Sequence, residues 1–373
     1  MWRKLVASMR FQDYSPVGKT NPLKRRPSPA VTPLVETPFA PNPGNLRMFR
    51  HLPRGLKAGA PLVVILHGCG QTAAGYDAGA GWSELADRLG FAVLAAEQKA
   101  VNNPNTCFGW FLPDDTARGQ GEAASIAAMI QTMLAQHKLD ARRVFITGLS
   151  AGGAMAAAML AGYPELFAGG AIIAGLPHGA AGNVREALES MRSAPLKTPR
   201  AWGDKVRAAS DFTGPWPRIS LWHGGMDMTV NVNNAQAGVA QWADVHGLAL
   251  GDARQQTVDG AVRLRWGDKL EVYTVPGLGH GTPIDARDVG APGPFILQAG
   301  ISSSSRIADF WGLAAKPAPK AKPAPVSIVP PPPEIETVLA ESVAAPEEPP
   351  PKQARIQDII LRALKAAGLV KKG

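Results

Sequence analysis

Cysteine is scarce in this sequence, which has only Cys69 and Cys107 in 373 residues. Two cysteines cannot build the disulfide framework of a small secreted domain, although they permit one bridge. The first nine residues include basic side chains, but Arg10 interrupts their apolar stretch, which is too short for the core of a signal peptide. We therefore expect a cytoplasmic protein in which both cysteines are reduced thiols.

Long apolar runs are also missing. No stretch of about 18 apolar residues occurs, which argues against a helix that spans a membrane. Hydrophobic residues nevertheless make up 45% of the chain, enough to bury a sizeable core. We expect a globular protein with polar ends.

Acidic residues are too few to balance the basic ones, and the formal net charge is +9. The excess lies at the ends, because residues 1–50 carry nine Lys and Arg against two Asp and Glu, and residues 316–373 carry nine against six. Residues 51–315 carry 21 against 22. Aromatic side chains do not alternate with the basic ones, so solvated charge runs are favoured and no nucleic-acid partner is expected.

The composition of the ends separates them from the body. Residues 1–45 are basic and rich in proline, which predicts a disordered arm. Residues 314–353 repeat Lys, Pro and Ala, and predict a stiff, extended linker. Apolar side chains recur at helical spacing over residues 354–370, which predicts an amphipathic helix able to dock on a partner or an apolar surface. The folded domain is expected to span residues 46–313.

Apolar runs of strand length alternate with helical stretches in this domain. The strands are predicted over 61–66, 91–95, 168–174, 219–222 and 270–275, with one more beginning at 144; helices are predicted over 82–89, 121–137, 184–191 and 305–311. This alternation predicts an α/β fold with a mostly parallel sheet and helices on both faces. Residues 181–215 break the alternation and are interpreted as an excursion over the carboxyl edge of the sheet.

The strand that begins at Val144 leads into a G-x-S-x-G motif formed by Gly148, Ser150 and Gly152, and an alanine-rich helical stretch follows. Strand, motif and helix in this order are typical of a nucleophile elbow, a tight turn that exposes a serine hydroxyl. The flanking positions must be glycine because the strand and the helix approach closely around a strained serine. Ser150 is therefore the candidate nucleophile.

A serine hydroxyl needs a histidine to remove its proton and a carboxylate to orient that histidine. In this kind of site the acid and then the base follow the serine along the chain. Asp227 and His280 do so, each in a glycine-rich turn just after a predicted strand. They are preferred over the other candidates, which are Asp204, Asp211 and Asp285 for the acid and His51, His67, His137, His178, His223 and His246 for the base.

Ester hydrolysis also needs two donors for the oxyanion of the tetrahedral intermediate. The backbone N–H of Ala151, next to the nucleophile, is one candidate. The second is expected in the loop after the first buried strand, where we choose the backbone N–H of Cys69.

Six motifs occur in an order that resembles one known family. They are HGCGQ (67–71), NTCFGWF (105–111), GLSAGGAMA (148–156), AGLPHGAA (174–181), WHGGMD (222–227) and GLGH (277–280). Over about residues 45–312 the chain resembles the esterase, polyhydroxybutyrate (PHB) depolymerase family. The resemblance implies an α/β-hydrolase fold, a triad of Ser150, Asp227 and His280, and hydrolysis of carboxylic esters, including short-chain 3-hydroxyacid polyesters. We expect neither a cofactor nor a metal ion.

The resemblance also implies contacts around the site. Cys69 and Cys107 are close together in relatives, so a bridge between their loops stays open. Trp110 and Phe111 are expected either to form the wall of an acyl or alcohol pocket or to pack in the core. His178 is a further candidate for substrate binding.

The expected function is therefore that of a serine esterase acting on oligomeric or small esters of short 3-hydroxyalkanoic acids. Insoluble polymer is less expected because no separate binding module is recognisable. One alternative is an esterase of acetylated or feruloylated xylan. Another is an interaction scaffold that acts through the C-terminal tail, although an intact Ser-Asp-His set argues against it. The predicted C-terminal helix would dock on a partner, a granule or an apolar surface.

Overall fold

The computed structural model describes residues 33–313. The strands are β1 (Val35–Glu36), β2 (Arg47–His51), β3 (Leu62–Leu66), β4 (Ala92–Glu97), β5 (Val144–Leu149), β6 (Gly169–Ile173), β7 (Arg218–Gly224), β8 (Arg254–Val258), β9 (Ala261–Trp266), β10 (Leu270–Val275), β11 (Thr282–Ile284) and β12 (Ile296–Gln298). The helices are α1 (Ala73–Ala80), α2 (Trp82–Leu89), α3 (Pro113–Thr116), α4 (Gly121–His137), α5 (Ala151–Gly162), α6 (Val184–Arg192), α7 (Pro199–Arg207), α8 (Asn233–Val245) and α9 (Ser303–Phe310).

One ten-stranded sheet, in the order β1-β2-β4-β3-β5-β6-β7-β10-β9-β8, organises the domain. Its six central strands, from β4 to β10 in that order, are parallel, and antiparallel pairs extend both edges. The carboxyl ends of the parallel strands therefore meet at one edge, where open α/β sheets place their ligands. The mostly parallel sheet predicted from the sequence is confirmed.

The sheet is buried on both faces, and β3 shows how its sequence achieves this. Alternate side chains of a strand point to opposite faces. Leu62, Val64 and Leu66 pack into the core layer that contains α4, α5 and α8, whereas Val63 and Ile65 pack into the layer that contains α1, α2 and α9. An unbroken apolar run is therefore the pattern that a strand covered by helices on both sides requires.

Part of the arm predicted over residues 1–45 belongs to the folded domain. Val35 pairs with Arg50 and Glu36 with Phe49, so β1 extends the sheet beside β2. Further along, the N–H of Gly44 donates to Ser125 Oγ at 2.8 Å, which ties the segment to α4. The prediction of disorder is therefore wrong for residues 33–45. The remainder of the arm, the linker over 314–353 and the helix over 354–370 lie outside the described residues.

Candidate active site

Ser150 occupies the tight turn between β5 and α5. Its φ is +56° and its ψ is −116°, a region that residues with side chains rarely adopt. The Ser150 N–H donates to the carbonyl oxygen of Ile173 at 2.9 Å, which fixes the turn to the end of β6. The strained serine predicted for a nucleophile elbow is therefore present at this position.

The flanking glycines allow the strand and the helix to touch. A Cβ on Gly148 would lie 2.4 Å from the backbone of Gly152, and a Cβ on Gly152 would lie 2.3 Å from the carbonyl oxygen of Leu66 at the end of β3. Both distances are far shorter than any real contact of a Cβ atom. Side chains at these positions would push α5 away from the sheet and displace Ser150.

Asp227 and His280 are brought together by the turns after β7 and β10. His280 Nδ1 lies 2.7 Å from Asp227 Oδ2, and both side chains are buried. The two turns touch, because a Cβ on Gly224 would lie 2.3 Å from the carbonyl oxygens of both Leu278 and Gly279. The glycine-rich composition that marked these turns in the sequence is thus what allows the predicted acid and the predicted base to meet.

The other carboxylate oxygen of Asp227 is held by its own turn. Oδ1 accepts hydrogen bonds from the N–H groups of Thr229 at 2.9 Å and Val230 at 2.8 Å. Burial alone would raise the pKa of Asp227, but hydrogen bonds from His223 and His280 outweigh it and hold the pKa well below its usual range. Asp227 is therefore ionised and fixed in orientation.

His223 also contacts Asp227, although His280 was preferred to it as the predicted base. Its Nε2 lies 2.7 Å from the carbonyl oxygen of Val230 and 3.4 Å from Asp227 Oδ2. The position of His223, four residues before Asp227 and at the end of a strand, was a signal that the sequence contained.

A disulfide joins Cys69 to Cys107, so the expectation of two reduced thiols is wrong. Hydrogen bonds connect the same two loops, because Gly70 N–H donates to Asn105 O at 2.8 Å and Thr106 Oγ1 donates to Gln71 O at 3.4 Å. The loop that carries the predicted oxyanion donor at Cys69 is thus held against the loop that carries Trp110.

His67, the first residue of the HGCGQ motif, is structural. Its Nδ1 donates to the carbonyl oxygen of Gly68 at 2.8 Å, while its Nε2 accepts from the N–H of Gln98 at 3.1 Å. Burial lowers the pKa of the ring, which is therefore neutral. His67 links the ends of β3 and β4 and supports the loop that contains Cys69.

A narrow, mostly apolar cavity of about 50 Å³ opens beside the nucleophile. Ser150, Ala151, Cys69, Trp110 and Phe111 lie in its lining, so the structure brings the predicted nucleophile, both predicted oxyanion residues and both predicted wall aromatics to one place. The rings of Trp110 and Phe111 meet edge to face with centroids 5.3 Å apart.

Helix α6 forms another wall of this cavity. Val184, Ala187, Leu188 and Met191 line it, and their spacing places them on one face of the helix. The segment 181–215 thus contributes directly to the cavity, in keeping with its interpretation as an excursion over the carboxyl edge. These four residues were not among the predicted site residues, because a helix with mixed charged and apolar residues can pack against any surface.

Residues 48–263 match the family model described as esterase PHB depolymerase. The chain is 46% identical over 285 residues to poly(3-hydroxyalkanoate) depolymerase C of Paucimonas lemoignei. The aligned region covers 74% of this chain and 69% of that protein. The chain belongs to the esterase PHB depolymerase family. It is a carboxylic ester hydrolase of the serine esterase type.

Acetylxylan esterases are more distant relatives within the same superfamily. Acetylxylan esterase A of Emericella nidulans is 31% identical, with 71% of this chain and 90% of that protein covered. The solved structure of an acetyl xylan esterase from Aspergillus awamori superposes with a TM-score of 0.66 at 24% identity, over 75% of this chain and 99% of that chain. This likeness confirms the α/β-hydrolase fold.

His178, Asp227 and His280 are predicted site residues that do not line the cavity; Asp227 and His280 pair with each other beside it, whereas His178 has other partners. Its backbone is bound on both sides by Gln241 of α8, which accepts from His178 N–H at 3.0 Å and donates to His178 O at 2.9 Å. Burial, with the nearby charge of Lys205, lowers the pKa of His178 to about 4. This arrangement gives the residue a structural role and does not support its predicted contact with substrate.

Residues 33–313 contain no group of three or more His, Cys, Asp or Glu side chains that could hold a metal ion. No helix in this range is long and apolar enough to cross a membrane.

Proposed function

We propose that this esterase acts through an acyl-enzyme on Ser150, with His280 as the base and Asp227 as the acid that orients it. The observation that carries the proposal is the 2.7 Å contact between His280 Nδ1 and Asp227 Oδ2 in two touching turns. Val230, whose N–H binds Asp227, lines the same cavity as Ser150, which links the pair to the nucleophile.

The chemistry follows from the protonation states. An ionised Asp227 only accepts, so His280 carries its hydrogen on Nδ1 and leaves Nε2 free of one. Nε2 takes the proton of Ser150 as Oγ bonds to the ester carbonyl carbon, and returns it to the alkoxy group as the alcohol leaves. A water then gives its proton to Nε2, attacks the acyl carbon and releases the acid, and the proton returns to Ser150.

The negative charge on the carbonyl oxygen is assigned to the backbone N–H groups of Ala151 and Cys69. Ala151 is the first residue of α5, and the first N–H of a helix has no acceptor within the helix. The positive end of the helix dipole lies at the same place and stabilises an anion. Cys69 lines the same cavity as Ala151, packs against the cluster that contains Ala151, and is held by its disulfide.

The proposed substrates are esters of short 3-hydroxyalkanoic acids, as oligomers or small esters. The 46% identity to a poly(3-hydroxyalkanoate) depolymerase supports this choice. The cavity supports it as well, because Leu176, Leu188, Met191 and Trp110 offer apolar surface to a short alkyl chain.

Acetylated xylan is the second candidate, because two relatives named as acetylxylan esterases are 31–32% identical to this chain. An acetyl group is small enough for the same cavity. Feruloyl esters are a further option, since feruloyl esterase B of Thermothelomyces thermophilus is 30% identical.

A substrate panel tests the proposal. The wild-type chain and Ser150→Ala are assayed on p-nitrophenyl butyrate, 3-hydroxybutyrate oligomers, acetylated xylan and a feruloyl ester. We expect activity on the butyrate ester and the oligomers, and none with Ser150→Ala. Turnover that survives in Ser150→Ala would exclude the nucleophile, and activity on acetylated xylan without activity on the oligomers would select the second candidate.

The tail is proposed to act in targeting. Its predicted helix over 354–370 lies outside the described residues. We propose that this helix docks on a partner, a granule or an apolar surface. Removal of residues 316–373 is expected to preserve the turnover of soluble esters and to abolish association with granules or partners. A cytoplasmic location stays a prediction; disulfides are rare in that compartment.

A further inference from the structure

We infer that His223 is a positioning residue of the site, which holds the Asp227 carboxylate and the Val230 carbonyl in one fixed geometry through a shared N–H. The inference rests on the proposed roles of Asp227 and His280. It adds a second histidine that acts on the acid and not on the substrate.

The protonation of His223 follows from its partners. A carbonyl oxygen only accepts, so the 2.7 Å contact between His223 Nε2 and Val230 O requires the hydrogen on Nε2. The same Nε2 lies 3.4 Å from Asp227 Oδ2, so its N–H lies close enough to stabilise the negative charge on that oxygen. The side chain of His223 is 1% exposed and that of Asp227 is not exposed, so water does not replace either contact.

Every oxygen of the acid is thereby held from two sides. Oδ1 accepts from the N–H groups of Thr229 and Val230, and Oδ2 faces both His280 Nδ1 at 2.7 Å and His223 Nε2 at 3.4 Å. Rotation of the carboxylate about its Cβ–Cγ bond would break several of these contacts at once. His223 therefore contributes to aiming Oδ2 at His280.

The N–H of His223 also connects Asp227 to the cavity, through Val230. Val230 lines the cavity beside Ser150, and its carbonyl is the shorter acceptor of the His223 N–H. His223 sits in β7, the rigid strand from which the turn of Asp227 departs. The strand thus fixes both ends of the segment 227–230 through one buried side chain.

The ionisable side chains that act on the Asp227 carboxyl, within residues 33–313, are His223 from β7 and His280 from the turn after β10. His280 also faces the uncharged ring of Phe295, with centroids 6.0 Å apart. Without the His223 N–H, less of the negative charge on Asp227 Oδ2 would be neutralised, and the ring of His280 would lie beside a stronger negative charge. Negative charge beside an imidazole ring stabilises the imidazolium, so the acid limb of the activity profile is expected at higher pH in such a variant.

The test is the pH dependence of kcat/KM for p-nitrophenyl butyrate in His223→Leu and His223→Gln. Leucine removes the donor, whereas the amide of glutamine reaches the place of Nε2. In His223→Leu we expect the acid limb to move to higher pH by about half a unit or more and kcat to fall about tenfold or more, with KM unchanged. His223→Gln is expected to restore both towards the wild type.

An acid limb that does not move in His223→Leu, or a glutamine variant no better than the leucine variant, overturns the inference. Where His223→Leu does not fold, His223→Asn takes its place, because the shorter amide of asparagine ends near Nδ1 and does not reach Val230 O. Identical profiles for asparagine and glutamine would then overturn it.

Ser150→Ala in the same assay separates this inference from the proposed function. Turnover that persists in Ser150→Ala would contradict the proposed mechanism. If Ser150→Ala is inactive and the acid limb does not move in the His223 variants, only the positioning role of His223 is contradicted.

Discussion

Cys69 and Cys107, 38 residues apart, are joined by a disulfide that connects the loop after β3 to the loop after β4. Both residues line the cavity beside Ser150, so the bridge fixes a predicted oxyanion donor against the aromatic loop. The geometry of the predicted oxyanion site therefore depends on this bridge.

Reduction of this bridge is expected to impair both stability and turnover. A closed loop of 38 residues contributes about 3–4 kcal/mol to the free energy of unfolding in the chain-entropy model. Loss of one oriented oxyanion donor lowers kcat by about 10²-fold or more. The measurements are denaturant unfolding and kcat before and after dithiothreitol, with free thiols counted by mass spectrometry.

The double variant Cys69→Ser, Cys107→Ser is the control. It should already have the lower stability and kcat, and dithiothreitol should not change either. If the reductant affects this variant and the wild type equally, the bridge is not the cause. Free thiols in the untreated wild type would remove the idea altogether.

Asp227 is expected to be essential, and Asp204 supplies a matched control because both were weighed as the acid. Asp204 lies on α7 and pairs with Arg200 and Arg207 at an exposed surface. Asp227→Asn should lower kcat by about 10⁴-fold, because an amide does not hold His280 in the required tautomer. Asp204→Asn should change kcat by less than about twofold, since exposed ion pairs contribute little. Comparable losses in both variants would argue against the assignment.

The elbow and the candidates for the acid and the base could be predicted from the sequence, because each prediction depends on local chemistry and chain order. Gly148 and Gly152 have no room for a Cβ, and a glycine-rich turn must follow the strand where Asp227 and His280 meet. Such requirements are visible in one short stretch at a time. The helices predicted over 82–89 and 121–137 coincide with α2 and α4.

Features that depend on tertiary contacts were not visible in this way. Strand β8 reads RQQTV and is mostly exposed, so its pairing with β9 is what makes it a strand. Strand β1 has two residues in a proline-rich arm and exists through its pairing with β2. The role of His223 depends on a carbonyl seven residues away. None of these partners can be assigned from composition or periodicity.

Acyl-chain selectivity is expected to depend on Leu188, which lines the cavity from α6. Leu188→Ala removes three heavy atoms and makes room for a longer acyl chain. We expect the ratio of kcat/KM for p-nitrophenyl octanoate to that for the butyrate to rise about three- to tenfold, as a change of a few methylene contacts allows. Glu189→Ala on the exposed face of the same helix is the control. An equal ratio in both variants would exclude α6 as a wall of the acyl site.

Glu122, which binds the loop beside the cavity, is expected to make the free energy of unfolding depend on pH. It lies in the first turn of α4 and is buried, and its Oε2 accepts from the N–H of Gly109 at 2.8 Å while Gln98 binds its Oε1. Burial, with the nearby charge of Asp115, raises the pKa of Glu122 to about 8. The group is therefore protonated in the folded protein at neutral pH, beside the loop that carries Trp110.

The sign follows from the direction of this shift. A carboxyl whose pKa is higher in the folded state stabilises the protein fully below its unfolded value near 4.5, and this contribution is lost as the pH rises towards about 8. Each pH unit in that window costs at most about 1.4 kcal/mol of unfolding free energy. Glu122→Gln, which is neutral at all pH values, should lose this slope and gain stability relative to the wild type at pH 8. The measurement is denaturant unfolding from pH 5 to 9, with exposed Glu189→Gln as the control; parallel curves for the wild type and Glu122→Gln would contradict the prediction.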